Sequence, residues 1–228
     1  MSISPDAIRT TLGRLGRAQV VWLSLLGAMT GVGGLLLALD GARAPRLDGM
    51  ALARPIAASG PSAIDLVFDT RAPIEEGRWD GVVIHHSGSM LGSAADVAAA
   101  HEARGLHGLG YHFVIGNGRG SGDGEIHVGY RWLDQLPGAH VAGENAGALN
   151  RRYLGVCLIG DGDRRPFGDT QLARSADLVG ALLSQLGLGV DDVLTHRDLA
   201  PVSSPGVRFP EAEFRERVRS ALATRASR

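Results

Sequence analysis

From Trp79 onward the chain alternates between two hydrophobic periods, one of about two residues and one of about 3.6. Val82–His85 reads as a strand. Ser93–Arg104 reads as a helix capped by Ser93, with Asp96 in its first turn and Gly105 as its stop. Gly110–Ile115 is a second strand, Gly116–Gly124 a glycine-rich turn, and Glu125–Val128 pairs back as a hairpin. Leu154–Ile159 is a further strand. Asp169 or Thr170 is expected to cap a long helix in which Leu172, Ala176, Val179, Leu183 and Leu186 recur at helical spacing up to Gly187. Val193–His196 is the last strand and Glu211–Arg225 a charged amphipathic helix. Upstream, Ile64–Phe68 predicts a short strand at the domain edge. Strands interleaved with helices, with no internal repeat, imply an α/β fold: a single mixed β-sheet flanked by helices.

The N-terminal part has a different pattern. Val20–Leu39 is a nearly continuous apolar run of the length that spans a bilayer, ~20 residues. Arg9, Arg14 and Arg17 precede it, so the positive-inside rule predicts a cytoplasmic N-terminus and an exported remainder. The expected organisation is a basic tail over 1–18, a transmembrane anchor over 19–39, a tether with its edge strand over 40–75, and the folded domain over 76–228. A signal peptide cleaved after Ala42-Arg43-Ala44 is the rival; Pro45 and the length of the apolar run weigh against it. Either way the domain is expected on the periplasmic or extracytoplasmic side, held to the membrane if the segment stays.

Charge and composition narrow the chemistry. A net charge of -1 argues against a nucleic-acid footprint. All 23 basic side chains are arginine, which excludes a lysine nucleophile. Cys157 is the one cysteine, so no intrachain disulfide forms, and its place in Gly155–Gly160 predicts a buried thiol. All eight histidines fall between positions 85 and 196. In the first strand His85 shares a face with Val83, and His86 shares the other with Ile84. His85 is therefore the candidate ligand and His86 a supporting residue. His196 ends another strand ahead of a Pro-Gly loop. Two neutral imidazoles at strand ends are the start of a zinc site that leaves one position for water.

Five segments follow one another in order: Val83-Ile84-His85-His86-Ser87, Gly110-Tyr111-His112-Phe113-Val114-Ile115, Gly138-Ala139-His140, Leu154–Gly160 and His196-Arg197-Asp198. Together, over roughly Arg78 to Pro210, they resemble the zinc-dependent type-2 N-acetylmuramoyl-L-alanine amidases, the superfamily that includes peptidoglycan recognition proteins. The resemblance implies Zn2+ held by His85 and His196, and peptidoglycan or its muropeptides as partner. It implies that Tyr111 positions water or stabilises a tetrahedral oxyanion. It also puts His140 and Asn150 near the cleft, in contact with the stem peptide or muramyl group. His101 packs near the site without being a ligand, and His107, His112 and His127 are surface or hairpin residues. Arg197 and Asp198 shape the loop, with Asp198 orienting His196.

The pattern departs from that family in one loop. The third ligand, usually cysteine or aspartate, is Ser204, a neutral oxygen donor; Val202 stands where many relatives carry threonine or lysine. A serine in this place resembles the non-catalytic peptidoglycan receptors. The expected function is hydrolysis of the amide between N-acetylmuramic acid and L-alanine. The alternative is a muropeptide-binding module with a degenerate zinc site, and a third reading is a scaffold with a vestigial cleft.

Overall fold

The computed structural model describes residues 55–56 and 64–227. The basic tail, the apolar run Val20–Leu39 and most of the tether lie outside the described residues. Among the described residues no helix is long and apolar enough to cross a membrane.

Six strands form one mixed sheet: β1 (Pro55–Ile56), β2 (Gly81–His86), β3 (Phe113–Ile115), β4 (Ile126–Val128), β5 (Tyr153–Leu158) and β6 (Val193–Thr195), in the order β1-β4-β3-β5-β2-β6. β1, β4 and β3 pair antiparallel, while β3, β5, β2 and β6 pair parallel. The central strands β2 and β5 are apolar on both faces, as parallel strands covered by helices must be.

The helices are α1 (Ala94–Glu102), α2 (Tyr130–Leu133), α3 (Ala146–Arg152), α4 (Asp169–Leu186), α5 (His196–Leu199) and α6 (Glu211–Ala226). One face of the sheet carries Val82, Ile84, Phe113, Ile115, Leu154, Val156 and Leu158. It packs under Leu178, Val179 and Leu182 of α4 and Phe214 and Val218 of α6. The opposite face carries Val114 and Cys157 under Ala94 and Ala98 of α1, with Tyr111 and Leu109 beside them. Register puts His85 level with Cys157, and Cys157 level with Val114, so His85 belongs to this second face.

Local chemistry sets the ends of the elements. The Ser93 hydroxyl accepts from the Asp96 amide while the Asp96 carboxylate accepts from the Ser93 amide, a reciprocal cap at the start of α1. Gly187 closes α4 at φ 69°, left-handed backbone that glycine adopts without a Cβ clash. Gln171 is buried and donates to the carbonyls of Ile115 and Ile159, tying α4 to the ends of two strands.

Three expected elements differ. Ile64–Phe68 is helical, ending in a 3-10 turn over Leu66–Phe68: Ile64 and Val67 are buried while Leu66 is 60% exposed, a spacing of three rather than two. Pro55–Ile56 supplies the edge strand instead. The second strand is confined to Phe113–Ile115. The last strand stops at Thr195, because the Asp198 carboxylate takes the Thr195 amide and hydroxyl and caps α5.

Two stability predictions follow from this packing. Gly180 of α4 lies so close to α6 that a Cβ would sit 2.7 Å from that of Ala221 and 3.0 Å from the Leu222 nitrogen. Gly180→Val is expected to destabilise the domain by about 1–3 kcal/mol in denaturant titration. His127, on β4, has its pKa lowered to about 4 by burial, only partly offset by Glu125. Its unfolded value is about 6.5, so the folded state binds fewer protons between those two values. The stability is complete above about pH 6.5 and is lost as pH falls toward about 4. Thermal melts over that window should show a shallower decline for His127→Gln than for the wild type.

Candidate metal centre and cleft

The parallel strands deliver their side chains to one edge. β2 ends in His85 and His86, and β6 runs directly into His196. The two candidate rings lie 4.4 Å apart between centroids, and the Tyr111 ring lies 5.0 Å from that of His85. Open α/β sheets place their ligand sites at this carboxyl end.

His85 is fully buried, and its protonation can be traced bond by bond. His140 is also buried and neutral near pH 7, its pKa lowered to about 4 mainly by burial. Its Nε2 lies 3.0 Å from the Tyr153 carbonyl, which only accepts, so Nε2 carries the proton and Nδ1 keeps a lone pair. That lone pair accepts from His85 Nε2 at 3.0 Å. Burial, reinforced by His140 and His196, holds the His85 pKa well below the ordinary imidazole value, so this ring is neutral too. Its remaining nitrogen, Nδ1, is thus a bare lone pair. It is buried with no hydrogen-bond partner. Leaving such an atom unpaired costs about 1–3 kcal/mol, and a bare imidazole nitrogen beside a second imidazole fits a metal ligand whose other nitrogen is fixed by a neighbour.

His140 therefore sits buried behind His85. Its ring fills a slot between two glycines: a Cβ on Gly138 would come 2.3 Å, and one on Gly155 2.6 Å, from the His140 ring. Asn150 holds the segment in place. Its Oδ1 accepts from the amides of His140 and Val141, and its Nδ2 donates to the Val141 carbonyl. Both ring nitrogens of His140, and Oδ1 of Asn150, are thus engaged within the protein, in bonds that position this segment.

Ser204 is nearly buried at the same strand end. Its hydroxyl accepts from the His86 amide at 3.1 Å, and its carbonyl accepts from the Arg197 amide. The loop around it is latched from several sides. Arg197 donates to the Gly206 carbonyl and pairs with Glu211, while Asp163 accepts from the Ser203 hydroxyl and the Val207 amide. Asp198 caps α5 and is not bonded to the His196 ring, contrary to its expected role. His86, Asp161 and Asp163 bring ligand-type atoms within 4.8 Å of one another. This group does not fit a metal, because His86 Nδ1 already accepts from the Gly162 amide at 3.0 Å; the cluster ties the two loops together.

Tyr111 stands at the edge of a cleft of about 230 Å³ lined also by Ser89, Leu91, Asp96, His101 and Arg104. Burial first, then the adjacent Cys157 thiol, pushes its phenol well above the usual value, so it keeps its proton. The Cys157 thiol is buried and likewise held neutral. His101 Nδ1 accepts from the Gly110 amide, and its ring packs 5.2 Å from that of Tyr111. His112 is a core residue and not a surface one, accepting from the Gly155 amide and bonding the Leu136 carbonyl. The glycine slot around His140 had one signal in the sequence, the glycines of Gly138-Ala139-His140 and Leu154-Gly155-Val156.

Among solved structures, N-acetylmuramoyl-L-alanine amidase LysC from Clostridium intestinale is 22% identical, with 65% of this chain and 91% of that one covered and a TM-score of 0.49. The peptidoglycan recognition protein SA of Drosophila is 24% identical over 63% of this chain and 82% of that one, with a TM-score of 0.50. The bumblebee PGRP-SA is 22% identical over 63% and 88%, with a TM-score of 0.48. At these identities the likeness is one of fold. No curated protein sequence matches the chain. Residues 75–207, more than half of the chain, match the family model of N-acetylmuramoyl-L-alanine amidase, and the chain belongs to that family.

Proposed function

We propose that this chain hydrolyses the amide between N-acetylmuramic acid and L-alanine in peptidoglycan, with zinc held by His85 and His196 and Ser204 as a neutral third donor. The observation that carries this reading is the bare, buried Nδ1 of His85, fixed in that state by His140 and the Tyr153 carbonyl. His85, His196 and Ser204 would hold the zinc, which when bound would supply Lewis acidity for the scissile carbonyl and a lowered water pKa. Tyr111, which stays protonated, donates a hydrogen bond to the carbonyl oxygen as negative charge builds on it. The cleft beside Tyr111 receives the stem peptide. We also place the domain on the extracytoplasmic side, held by the apolar run that follows Arg9, Arg14 and Arg17.

A specific observation favours a second reading, a muropeptide-binding module that does not cut. Ser204 offers a neutral hydroxyl already engaged by the His86 amide, and Val202 brings no polar group. The two readings separate on one comparison. Zinc content and muropeptide cleavage, followed by mass spectrometry, are measured for the wild-type chain and for Ser204→Cys. The substitution supplies a thiolate and is expected to tighten zinc at least ~10-fold and to raise cleavage. If neither protein holds zinc or cuts while both retain muropeptide, the hydrolase reading is lost to the binding one.

The role of His140 has its own test. His140→Phe keeps the ring volume but removes the acceptor that fixes the His85 proton on Nε2. Zinc affinity by competition titration is expected to fall about 10–100-fold, with the His85 tautomer mixed by 15N NMR of the imidazoles and the thermal unfolding still cooperative. Unchanged affinity and an unchanged tautomer would remove His140 from the site.

A further inference from the structure

Outside the cleft, one concavity of about 280 Å³ is lined by Arg119, Arg164, Arg165 and Met90. The three guanidinium groups come from two loops far apart in sequence: Arg119 from the turn between β3 and β4, Arg164 and Arg165 from the loop after β5. All three residues are exposed. Among the described residues none of these side chains has a carboxylate or hydrogen-bond partner, whereas Arg215, Arg217 and Arg219 of α6 are each paired with a glutamate. Three like charges around one concavity repel one another, and the chain as a whole is not basic, at a net charge of -1. The cluster is therefore a local feature and not an overflow of general positive charge.

The backbone that carries it is held in place. The Arg119 carbonyl accepts from the Gly92 amide at 2.7 Å, its amide donates to Asn117 Oδ1, and Asn117 Nδ2 donates to the Met90 carbonyl. Gly120, at φ 95°, lets the turn approach Gly92 so closely that a Cβ would lie 2.9 Å from that backbone. The amides of Arg164 and Arg165 both donate to the Asp161 carbonyl. The guanidinium forks thus start from fixed points, which lowers the ordering cost of gripping an anion. A planar fork matches a carboxylate with two parallel hydrogen bonds.

Position selects the anion. Met90 lines this concavity, while its neighbours Ser89 and Leu91 line the cleft beside Tyr111. The two concavities thus lie on either side of the single segment Ser89-Met90-Leu91. We infer that Arg119, Arg164 and Arg165 form a second subsite that binds a free carboxylate of a further stem peptide on the same peptidoglycan strand. This rests on the peptidoglycan reading above and extends it: the cleft takes one stem, the arginine subsite another, and the polymer gains over the monomer by avidity.

The test uses the full chain and the triple variant Arg119→Gln, Arg164→Gln, Arg165→Gln, with thermal unfolding as the check on folding. Retention is measured on insoluble peptidoglycan, on peptidoglycan with its carboxylates amidated, on monomeric muropeptide and on phosphatidylglycerol vesicles. The wild type is expected to hold intact peptidoglycan roughly tenfold more tightly than the variant at about 0.01 M salt, with the gap closing by about 0.15 M as screening shortens from ~30 Å to ~8 Å. Amidated peptidoglycan should bind both proteins equally, and the monomer should not distinguish them. Equal retention of intact peptidoglycan by both proteins overturns the subsite while leaving the cleft reading standing. Loss of vesicle binding alone assigns the arginines to a lipid surface and overturns it as well. If the wild type holds neither polymer nor monomer, the peptidoglycan reading itself fails and the subsite falls with it.

Discussion

A single carbonyl, that of Tyr153 at the start of β5, determines the state of the candidate centre. It accepts from His140, which then has only a lone pair to offer His85, which then has only a lone pair to offer the site. Each link is imposed by the one before it, because a neutral imidazole has one donor and one acceptor. Burial keeps every ring neutral, since charging any of them would place an unpaired cation in the core beside other imidazoles. The backbone of a central strand thereby sets the chemistry of a side chain two hydrogen bonds away, and mobility at either bond would blur the tautomer.

The architecture around this relay serves to keep it rigid. Gly138 and Gly155 leave the room that the His140 ring occupies, and Asn150 fastens the His140 backbone. On the opposite side, His86 and Asp163 join the loop after β5 to the loop that carries Ser204, and Arg197 braces that second loop through the Gly206 carbonyl. The surface ion pairs elsewhere, such as Arg71 with Asp134, are exposed and each contribute only about 0–1 kcal/mol. Around the site, hydrogen bonds, many of them to backbone groups, outnumber charge pairs, of which Arg197 with Glu211 braces the Ser204 loop. That explains how the geometry persists although the third ligand position carries a neutral hydroxyl.

The strand from Val82 to His86 was readable as a short continuous apolar run ending in two histidines, and the helix from Leu172 to Leu186 because its apolar residues recur at helical spacing. The placement of His85 on the cleft face, the Ser93 cap of α1 and the Gly187 stop of α4 followed from strand alternation and capping chemistry, whereas the N-cap of α4 is Gly168 with no side-chain cap bond and not Asp169 or Thr170. Ile64–Phe68 misled because five residues are too few to separate a period of two from one of three. His112 was unreadable as a core residue: its burial depends on the amide of Gly155 and the carbonyl of Leu136, which approach it only in the folded sheet. His140 and Asn150 look alike as candidate substrate contacts and as scaffold, because a polar side chain does not announce which way it faces.

By itself the sequence determined the fold class, the family and the two histidines at strand ends, since these rest on local periodicity and on residue types at fixed intervals. Only the tertiary structure decided which nitrogen of His85 is bare, that His140 lies behind it, that Asp198 caps a helix and leaves the His196 ring unbonded, and that three arginines from two loops share one concavity. Proton positions and shared cavities depend on distances of about 3 Å between residues distant in the chain. No local pattern encodes those distances; they exist once β2, β5 and β6 pair in register.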